Sequence, residues 1–262
     1  MTELNLSARA PARDSDDPDA TSAAAIATSA GRLLLELRAA GATDCDPDAL
    51  RRSGDRSSHD RIVALIGEHF PDDAILSEEG ADDPSRLSAH RVWIVDPLDG
   101  TREYGEPGRS DWAVHVALVV DGELVAGAVA LPALGCTYST VDRPALAGRA
   151  ANAAPRILVS RTRRPADVLR VADALGGTLI EMGSAGAKAM AVVCGDADVY
   201  AHSGGQFEWD SAAPVAVARA AGLHVSRIDG SELRYNQPDP HLPDLLICRP
   251  ELAARTLEVL AR

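Results

Sequence analysis

Two aspartates three positions apart, Asp96 and Asp99, are the residues of this chain whose spacing points most directly to chemistry. They lie in the segment Asp-Pro-Leu-Asp-Gly-Thr, directly after an apolar run that predicts a buried strand. Pro97 predicts that the regular strand stops there, and Gly100 permits a sharp turn that lets a ligand approach the backbone. Because two carboxylates held together repel each other unless a cation joins them, the segment predicts a divalent-metal site.

Three further acidic residues, Asp55, Glu78 and Asp210, are candidates for the same site. Glu78 follows a short apolar run, and Asp210 stands between a glycine-rich loop and a helical pattern, which are places where side chains converge. Each acid taken alone could equally cap a helix or lie in a solvated loop. Taken together, they are oxygen ligands of the kind Mg²⁺ prefers, and such ions could neutralise a phosphate and hold an attacking water.

The composition narrows the class of protein. With 26 basic and 39 acidic residues among 262, the formal charge is −13, so general binding to nucleic acid is not expected. Four scattered cysteines without metal-ligand spacing predict free thiols in a reducing cytoplasm. No signal-peptide pattern and no apolar run of about 18 residues occurs, so we expect a cytoplasmic protein without a membrane partner.

The elements that would position the acids follow from the hydrophobic pattern. The first half predicts helices on an antiparallel sheet, with Asp121 and Gly122 as a hairpin turn. The predicted helices of this half are 20–40 and 56–70, and its predicted strands are 74–76, 92–95, 112–120 and 124–131.

The second half alternates strand and helix patterns, which is typical of an α/β arrangement. Its predicted strands are 157–159, 178–181, 197–201 and 245–247, and its predicted helices are 165–175, 185–194, 211–221 and a C-terminal helix. We expect a disordered tail over 1–18, an α+β domain over 19–150 with most of the metal ligands, and an α/β domain over 151–262 with Asp210.

Three segments resemble a known family. Residues 96–101 and 209–214 are similar to the two signatures of the inositol-monophosphatase-like, lithium-sensitive, Mg²⁺-dependent phosphatases, and residues 77–79 are similar to their acidic turn. Order and spacing agree over nearly the whole chain beyond the N-terminal tail. The resemblance implies a layered α-β-α-β-α sandwich of the α/β class.

The resemblance also implies roles for individual residues. The implied ligands of two or three Mg²⁺ ions are Glu78, Asp96, the carbonyl of Leu98, Asp99 and Asp210. Asp55 would orient or deprotonate the attacking water with Thr101 as a relay, and Glu78 would assist through a third ion. The backbone N–H groups of Gly100 and Thr101 would contact the phosphate.

Neighbouring residues narrow the implied substrate. Arg102, followed by Glu and Tyr, resembles the 3′(2′),5′-bisphosphate nucleotidase branch, CysQ, and the run 108–115 resembles the actinobacterial form of that branch. That branch removes the 3′-phosphate of adenosine 3′,5′-bisphosphate in sulfate assimilation, with 3′-phosphoadenosine 5′-phosphosulfate as a second candidate substrate. Gly183, Ser184 and Lys188 would hold the second phosphate at a helix start.

Other readings stay open at this point. An inositol-1-phosphate or sugar-phosphate phosphatase, such as one for fructose 1,6-bisphosphate, would use the same metals, and a non-catalytic metal-binding regulator could keep the fold. The segment 233–236 resembles an element near the nucleotide in the nucleotidase branch, and His115 in an apolar run predicts a core histidine. We expect a small-molecule nucleotide as the partner and leave a homodimer open.

Overall fold

Two five-stranded sheets organise the chain in the computed structural model, which describes residues 12–13, 17–41, 46–143, 145–146, 148 and 153–261. The elements before residue 144 are β1 (Ala12–Arg13), α1 (Pro18–Gly41), α2 (Pro47–His69), β2 (Ala74–Ser77), a 3₁₀ helix (Pro84–Ser88), β3 (Arg91–Asp99), α3 (Thr101–Gly105), β4 (Ala113–Val120), β5 (Glu123–Leu131), a 3₁₀ helix (Pro132–Leu134), β6 (Cys136–Ser139) and β7 (Asp142–Arg143). Those after it are β8 (Arg156–Ser160), α4 (Ala166–Leu175), β9 (Thr178–Met182), α5 (Ala185–Val193), β10 (Val199–Phe207), α6 (Glu208–Ala220), β11 (His224–Ser226), β12 (His241–Cys248) and α7 (Pro250–Leu260).

The first sheet has the order β2-β3-β4-β5-β6, and all its pairs are antiparallel except β2 with β3. The second has the order β11-β12-β10-β8-β9, with β8 parallel to β9 and β10 and the β12 pairs antiparallel. Between β4 and β5, Asp121 and Gly122 both have positive φ, as a tight hairpin requires, so the predicted turn is confirmed.

The helices form three layers around the two sheets. Helices α1 and α2 cover the outer face of the first sheet, where Leu34, Ile62 and Trp93 belong to one buried apolar cluster. Helices α5 and α6 lie between the sheets, and α4 and α7 cover the outer face of the second. The layered α-β-α-β-α prediction is therefore confirmed.

The predicted division of the chain at residue 150 stays a prediction. The central apolar cluster draws on both halves, since Ile94 of β3 and Val192 of α5 belong to it. Apart from residues 12–13 and 17–18, the expected disordered tail lies outside the described residues. Cys136, Cys194 and Cys248 form no disulfide in the described part of the chain, in agreement with the predicted thiols, and Cys45 lies outside that part.

The second helix begins earlier than predicted. It starts at Pro47 behind the cap residue Asp46, whose carboxylate accepts the Asp48 N–H, so Asp55 lies inside the helix and caps nothing. The first part of α2 is polar and lacks an apolar stripe, which hid it in the sequence. Gly54 permits the close packing there, because a Cβ at this position would lie 2.7 Å from the Tyr104 ring.

The prediction that the strand stops at Pro97 is wrong in one respect, because β3 runs on to Asp99. The pairing with β4 is nevertheless interrupted, since Asp96 pairs with His115 but Asp99 pairs with Ala113. Two residues on β3 thus face one on β4, which is a β-bulge. Such a bulge redirects side chains, and here it brings two acids that strict alternation would separate onto one side.

Candidate active site

Three carboxylates meet where the bulge of β3 faces the start of α6. Oxygens of Asp96, Asp99 and Asp210 lie within 4.8 Å of one another. Asp96 and Asp99 are buried, with 1% and 8% of their surface exposed. Asp210 is held in the first turn of α6, where its carboxylate accepts the Phe207 N–H at 2.6 Å. The three acids therefore form a preorganised cluster.

Glu78 joins this cluster from the neighbouring strand. It follows β2 directly, and Ser77 at the end of β2 pairs with Val95, so Glu78 stands beside Asp96. Its outer side is exposed to solvent, but partial burial and the charge of Asp210 raise the pKa of its carboxyl to about 7. Crowding against the other acids thus disfavours the ionised form of Glu78 in the metal-free protein.

The other acids of the cluster are crowded in the same way. Burial, with the charge of Asp99, raises the pKa of Asp210 to about 6. Burial and the charges of Glu78 and Asp99 raise the pKa of Asp96 well above its usual value. Carboxylates that are crowded together in this way disfavour one another's ionised forms. Their oxygens are the ligands that a hard divalent cation such as Mg²⁺ prefers, and a bound cation would favour the ionised forms.

The pKa of Asp99 shifts in the opposite direction, because its carboxylate lies against the N-terminus of α5. Burial alone would raise its pKa, but the His115 imidazole, the Ser184 hydroxyl and backbone N–H groups lower it far below the usual range. The Ser184 hydroxyl donates to Asp99 Oδ2 at 2.5 Å, and the N–H groups of Ala185 and Gly186 donate to its two oxygens at 3.1 and 2.6 Å. The predicted anion site at this helix start is thus filled by a carboxylate of the protein itself.

His115 lies under the acids and is fully buried, as predicted for a core histidine. Its Nδ1 donates to the Trp209 carbonyl at 3.0 Å, and its Nε2 is 3.2 Å from Asp99 Oδ2. Burial lowers the pKa of His115, but the nearby Asp99 outweighs burial and raises it. A neutral ring that donates from Nδ1 to the Trp209 carbonyl would direct the lone pair of Nε2 towards the Asp99 carboxylate. The geometry therefore favours the imidazolium form, in which Nε2 also carries a proton.

Asp55 and Thr101 face each other across the start of α3. The Thr101 hydroxyl donates to the Leu98 carbonyl at 3.0 Å and lies 3.4 Å from Asp55 Oδ1. Burial, helped by the charge of Glu79, raises the pKa of Asp55 to about 6, while its contact with Thr101 opposes the rise. The structure thus brings together the two residues predicted to handle the attacking water.

A cleft of about 640 Å³ opens beside the acid cluster. The predicted site residues on its walls are Asp99, Gly100, Thr101, Arg102, Gly183, Ser184, Lys188 and Asp210. Gly183 is required by close packing, since a Cβ there would lie 2.3 Å from Cδ of Glu103. Glu103 in turn accepts from Arg161 Nη1 at 2.7 Å, which ties α3 to the loop after β8.

Lys188 lines the cleft and is buried. Its ammonium group donates to the carbonyls of Gly183 and Ser184, the latter at 2.9 Å, and lies 5.2 Å from the centre of the Tyr200 ring. Burial lowers the pKa of Lys188, and the charge of Asp99 opposes that shift. Since an ammonium has three donors, one remains for a ligand.

Some cleft residues escaped sequence reasoning. Arg163, Tyr200 and Gln206 line the cleft, but they lie in segments that carried no motif. By contrast, Asn236 lies outside the cleft lining, although its segment resembled a nucleotide-binding element. Its N–H donates to Glu208 at 2.6 Å, and Arg86 donates to its side-chain oxygen at 2.7 Å. This segment therefore anchors the start of α6.

The fold and the site define a phosphatase of the layered sandwich type, with an acid cluster beside a polar cleft. The chain belongs to the inositol monophosphatase family, whose model matches residues 19–261. Over 254 residues it is 51% identical to a protein named 3′-phosphoadenosine 5′-phosphate phosphatase from Mycobacterium leprae, covering 92% of this chain and 93% of that one.

More distant relatives agree. The chain is 30% identical over 203 residues to the 3′(2′),5′-bisphosphate nucleotidase CysQ of Escherichia coli, covering 72% of this chain and 81% of that one. The crystal structure of CysQ from Bacteroides thetaiotaomicron, 27% identical, superposes with a TM-score of 0.75 over 89% of this chain and 98% of that one. None of the helices in the described part of the chain is both long and apolar enough to cross a bilayer.

Proposed function

We propose that this chain hydrolyses the 3′-phosphate of adenosine 3′,5′-bisphosphate to give AMP and inorganic phosphate. The observation that carries the proposal is one cleft that is lined both by Asp99 and Asp210 of the acid cluster and by the cations Lys188 and Arg163. A substrate with two phosphates can place one phosphate at the acids, where metal ions would bind, and the other phosphate at the cations. The names of the relatives support the same reaction.

Mg²⁺ is the proposed cofactor, with two or three ions. The residues that would hold it are Glu78, Asp96, Asp99, Asp210 and the carbonyl of Leu98. When bound, the ions supply positive charge that stabilises the phosphoryl group in the transition state and lowers the pKa of water.

The remaining groups handle protons and orientation. Asp55, with its pKa raised to about 6, is ionised at neutral pH and can accept a proton from the attacking water. Thr101 is placed to orient that water, because its hydroxyl contacts both Asp55 and the Leu98 carbonyl. The cleft-lining backbone at Gly100 and Thr101 is the proposed contact for the departing phosphate.

The second phosphate is the proposed ligand of Lys188 and Arg163. Arg163 is exposed at the cleft and makes no ion pair within the described residues, so its guanidinium can take a phosphate bidentately. Ser184, which the resemblance assigned to this phosphate, already donates its proton to Asp99. We therefore propose that Ser184 acts by positioning Asp99, and that the two cations bind the second phosphate.

A substrate panel tests the proposal. At fixed Mg²⁺, kcat/KM for adenosine 3′,5′-bisphosphate should exceed the values for 3′-AMP and for inositol 1-phosphate. Arg163→Ala and Lys188→Ala should each lower kcat/KM for the bisphosphate by about 10- to 100-fold, because a charge-assisted hydrogen bond contributes about 1.5–3 kcal/mol. They should change kcat/KM for 3′-AMP little, since it lacks the second phosphate.

Arg164→Ala is the matched control, because this arginine is exposed and pairs with Glu181 away from the cleft lining. It should leave all three substrates unaffected. A preference for inositol 1-phosphate that Lys188→Ala does not alter would refute the nucleotide assignment and favour the inositol alternative.

A further inference from the structure

Two buried polar side chains of the cleft lack hydrogen-bond partners. Tyr200 and Gln206 line the cleft and are 2% and 5% exposed. Neither the Tyr200 hydroxyl nor the Nε2 and Oε1 of Gln206 has a partner among the described residues. Buried polar groups in folded proteins are nearly always paired, so three unpaired atoms at one cleft wall indicate groups reserved for a ligand.

Both side chains come from β10, and an irregularity of that strand positions one of them. The pairing of β10 with β12 shifts between Ser203 and Gln206, where Gly204 and Gly205 take φ values of +103° and +87°. Such a break bends a strand and redirects the side chain after it. Gln206 pairs with Leu242 of the central apolar cluster, so it faces the helix layer, as Tyr200 does.

The position of these groups limits which part of a substrate they can reach. Tyr200 lines the same cleft as Asp99 and Asp210, and its ring centre lies 5.2 Å from Lys188 Nζ. Gln206 directly precedes Phe207, whose N–H holds Asp210. When a phosphate of the substrate is bound at the acid cluster, the substrate ring to which that phosphate is esterified would therefore lie against Tyr200 and Gln206. More distant parts of the substrate would not reach these two side chains.

The chemistry of the amide selects the ligand group. Gln206 presents an amide Nε2 that donates and an Oε1 that accepts, whereas a fully ionised phosphate offers acceptors alone and would leave Oε1 unpaired. A hydroxyl both donates and accepts, and it satisfies the amide or the Tyr200 phenol equally well. The group that meets this requirement next to the scissile ester is a neighbouring sugar hydroxyl.

We propose that Gln206, assisted by Tyr200, is a specificity-determining residue that binds the sugar hydroxyl adjacent to the scissile phosphate. This inference rests on the proposed function, in which that group is the ribose 2′-hydroxyl. The enzyme then discriminates between ribose and 2′-deoxyribose substrates. The 2′-deoxy analogue leaves buried polar atoms of the protein unpaired in its complex and is therefore a poorer substrate.

The test compares adenosine 3′,5′-bisphosphate with its 2′-deoxy analogue. In the wild-type protein, kcat/KM should be higher for the ribo substrate by a factor on the order of tenfold or more. Gln206→Met keeps the length of the side chain and removes both hydrogen-bonding atoms, so the ratio should fall towards one through loss on the ribo substrate. Tyr200→Phe, a second variant that removes one oxygen, should lower the ratio part of the way.

The matched control is Gln237→Met, at a glutamine outside the cleft lining whose side chain donates to the Tyr235 carbonyl. It should keep the wild-type ratio. A ratio that is the same in wild type, Gln206→Met and Tyr200→Phe would overturn the inference while leaving the nucleotidase function standing. If neither nucleotide is hydrolysed but inositol 1-phosphate is, both the proposed function and the inference are wrong.

Discussion

Gly186 couples helix α5 to the histidine beneath the acid cluster, and Gly186→Ala tests that coupling. A Cβ at this position would lie 2.1 Å from His115 Nε2 and about 3 Å from two ring carbons. The ring is fully buried and is held by the Trp209 carbonyl, so it has no free direction in which to move. The Gly186 N–H also donates to Asp99, so a shift of the helix would disturb the cluster.

Two effects of this substitution oppose each other. Alanine is favoured over glycine inside a helix by about 1 kcal/mol. Forcing an extra methyl group into a packed core costs about 1–3 kcal/mol, and a contact as short as 2.1 Å against a fixed ring lies at the upper end. The steric effect should therefore win, and the free energy of unfolding should fall by about 1–2 kcal/mol.

Urea denaturation with parallel activity measurements provides the assay. Gly67→Ala in α2 is the matched control, because this helical glycine is exposed and nothing lies within 4 Å of an added Cβ. It should gain up to about 1 kcal/mol and keep full activity. Gly186→Ala should lose stability and most turnover together. A Gly186→Ala protein that matches the control in both stability and turnover would refute the proposed packing of His115 against α5.

Two further outcomes are expected at the acid cluster. The folded-state pKa values of three acids lie above their ordinary values, at about 6 for Asp55, 7 for Glu78 and 6 for Asp210. The folded protein therefore binds more protons than the unfolded chain, and the stability that these protons contribute is lost as pH rises through 6–7. Metal-free protein should consequently have a lower Tm at pH 7.5 than at pH 5, and Mg²⁺ should raise Tm more at pH 7.5; a metal-free Tm that increases over this range would contradict the crowding of the acids. Asp96→Asn should abolish most turnover without lowering the Tm of the metal-free protein, because an amide of the same shape replaces a carboxyl whose ionised form is disfavoured by burial and by its acidic neighbours, and near-normal turnover would refute the proposed metal site.

The proximity of Glu78 and Asp96 could be anticipated from the sequence, because each of the two acids stands at the end of an apolar run with a clear strand signal. Glu78 and Asp96 come after apolar runs that pair as parallel neighbours, so their convergence follows from strand pairing. What the sequence could not give is how the chain continues after Asp96. Pro97 removes a donor from the ladder, but whether the strand ends or bulges depends on β4 across the sheet.

Tertiary contacts explain the remaining differences. The turn at Ser184 was predicted to hold the second phosphate of the substrate, yet in the structure its donors bind the side chain of Asp99, 85 positions away in the chain. The early start of α2 was missed because its polar first turns are held by a glycine contact with Tyr104 and not by an apolar stripe. Arg163 carries no pattern of its own, since only the fold makes an exposed arginine part of a cleft wall.

The central helix layer has a consequence for how the chain folds as it is synthesised. The first sheet is complete at Ser139, but its inner face is covered by α5 and α6, which end at Ala220. A ribosome adding about 5–20 residues per second needs roughly 4–16 seconds to supply those 80 or so residues. During that interval the apolar inner face of the first sheet has no native cover, so we expect the nascent chain to be most prone to aggregation at this stage.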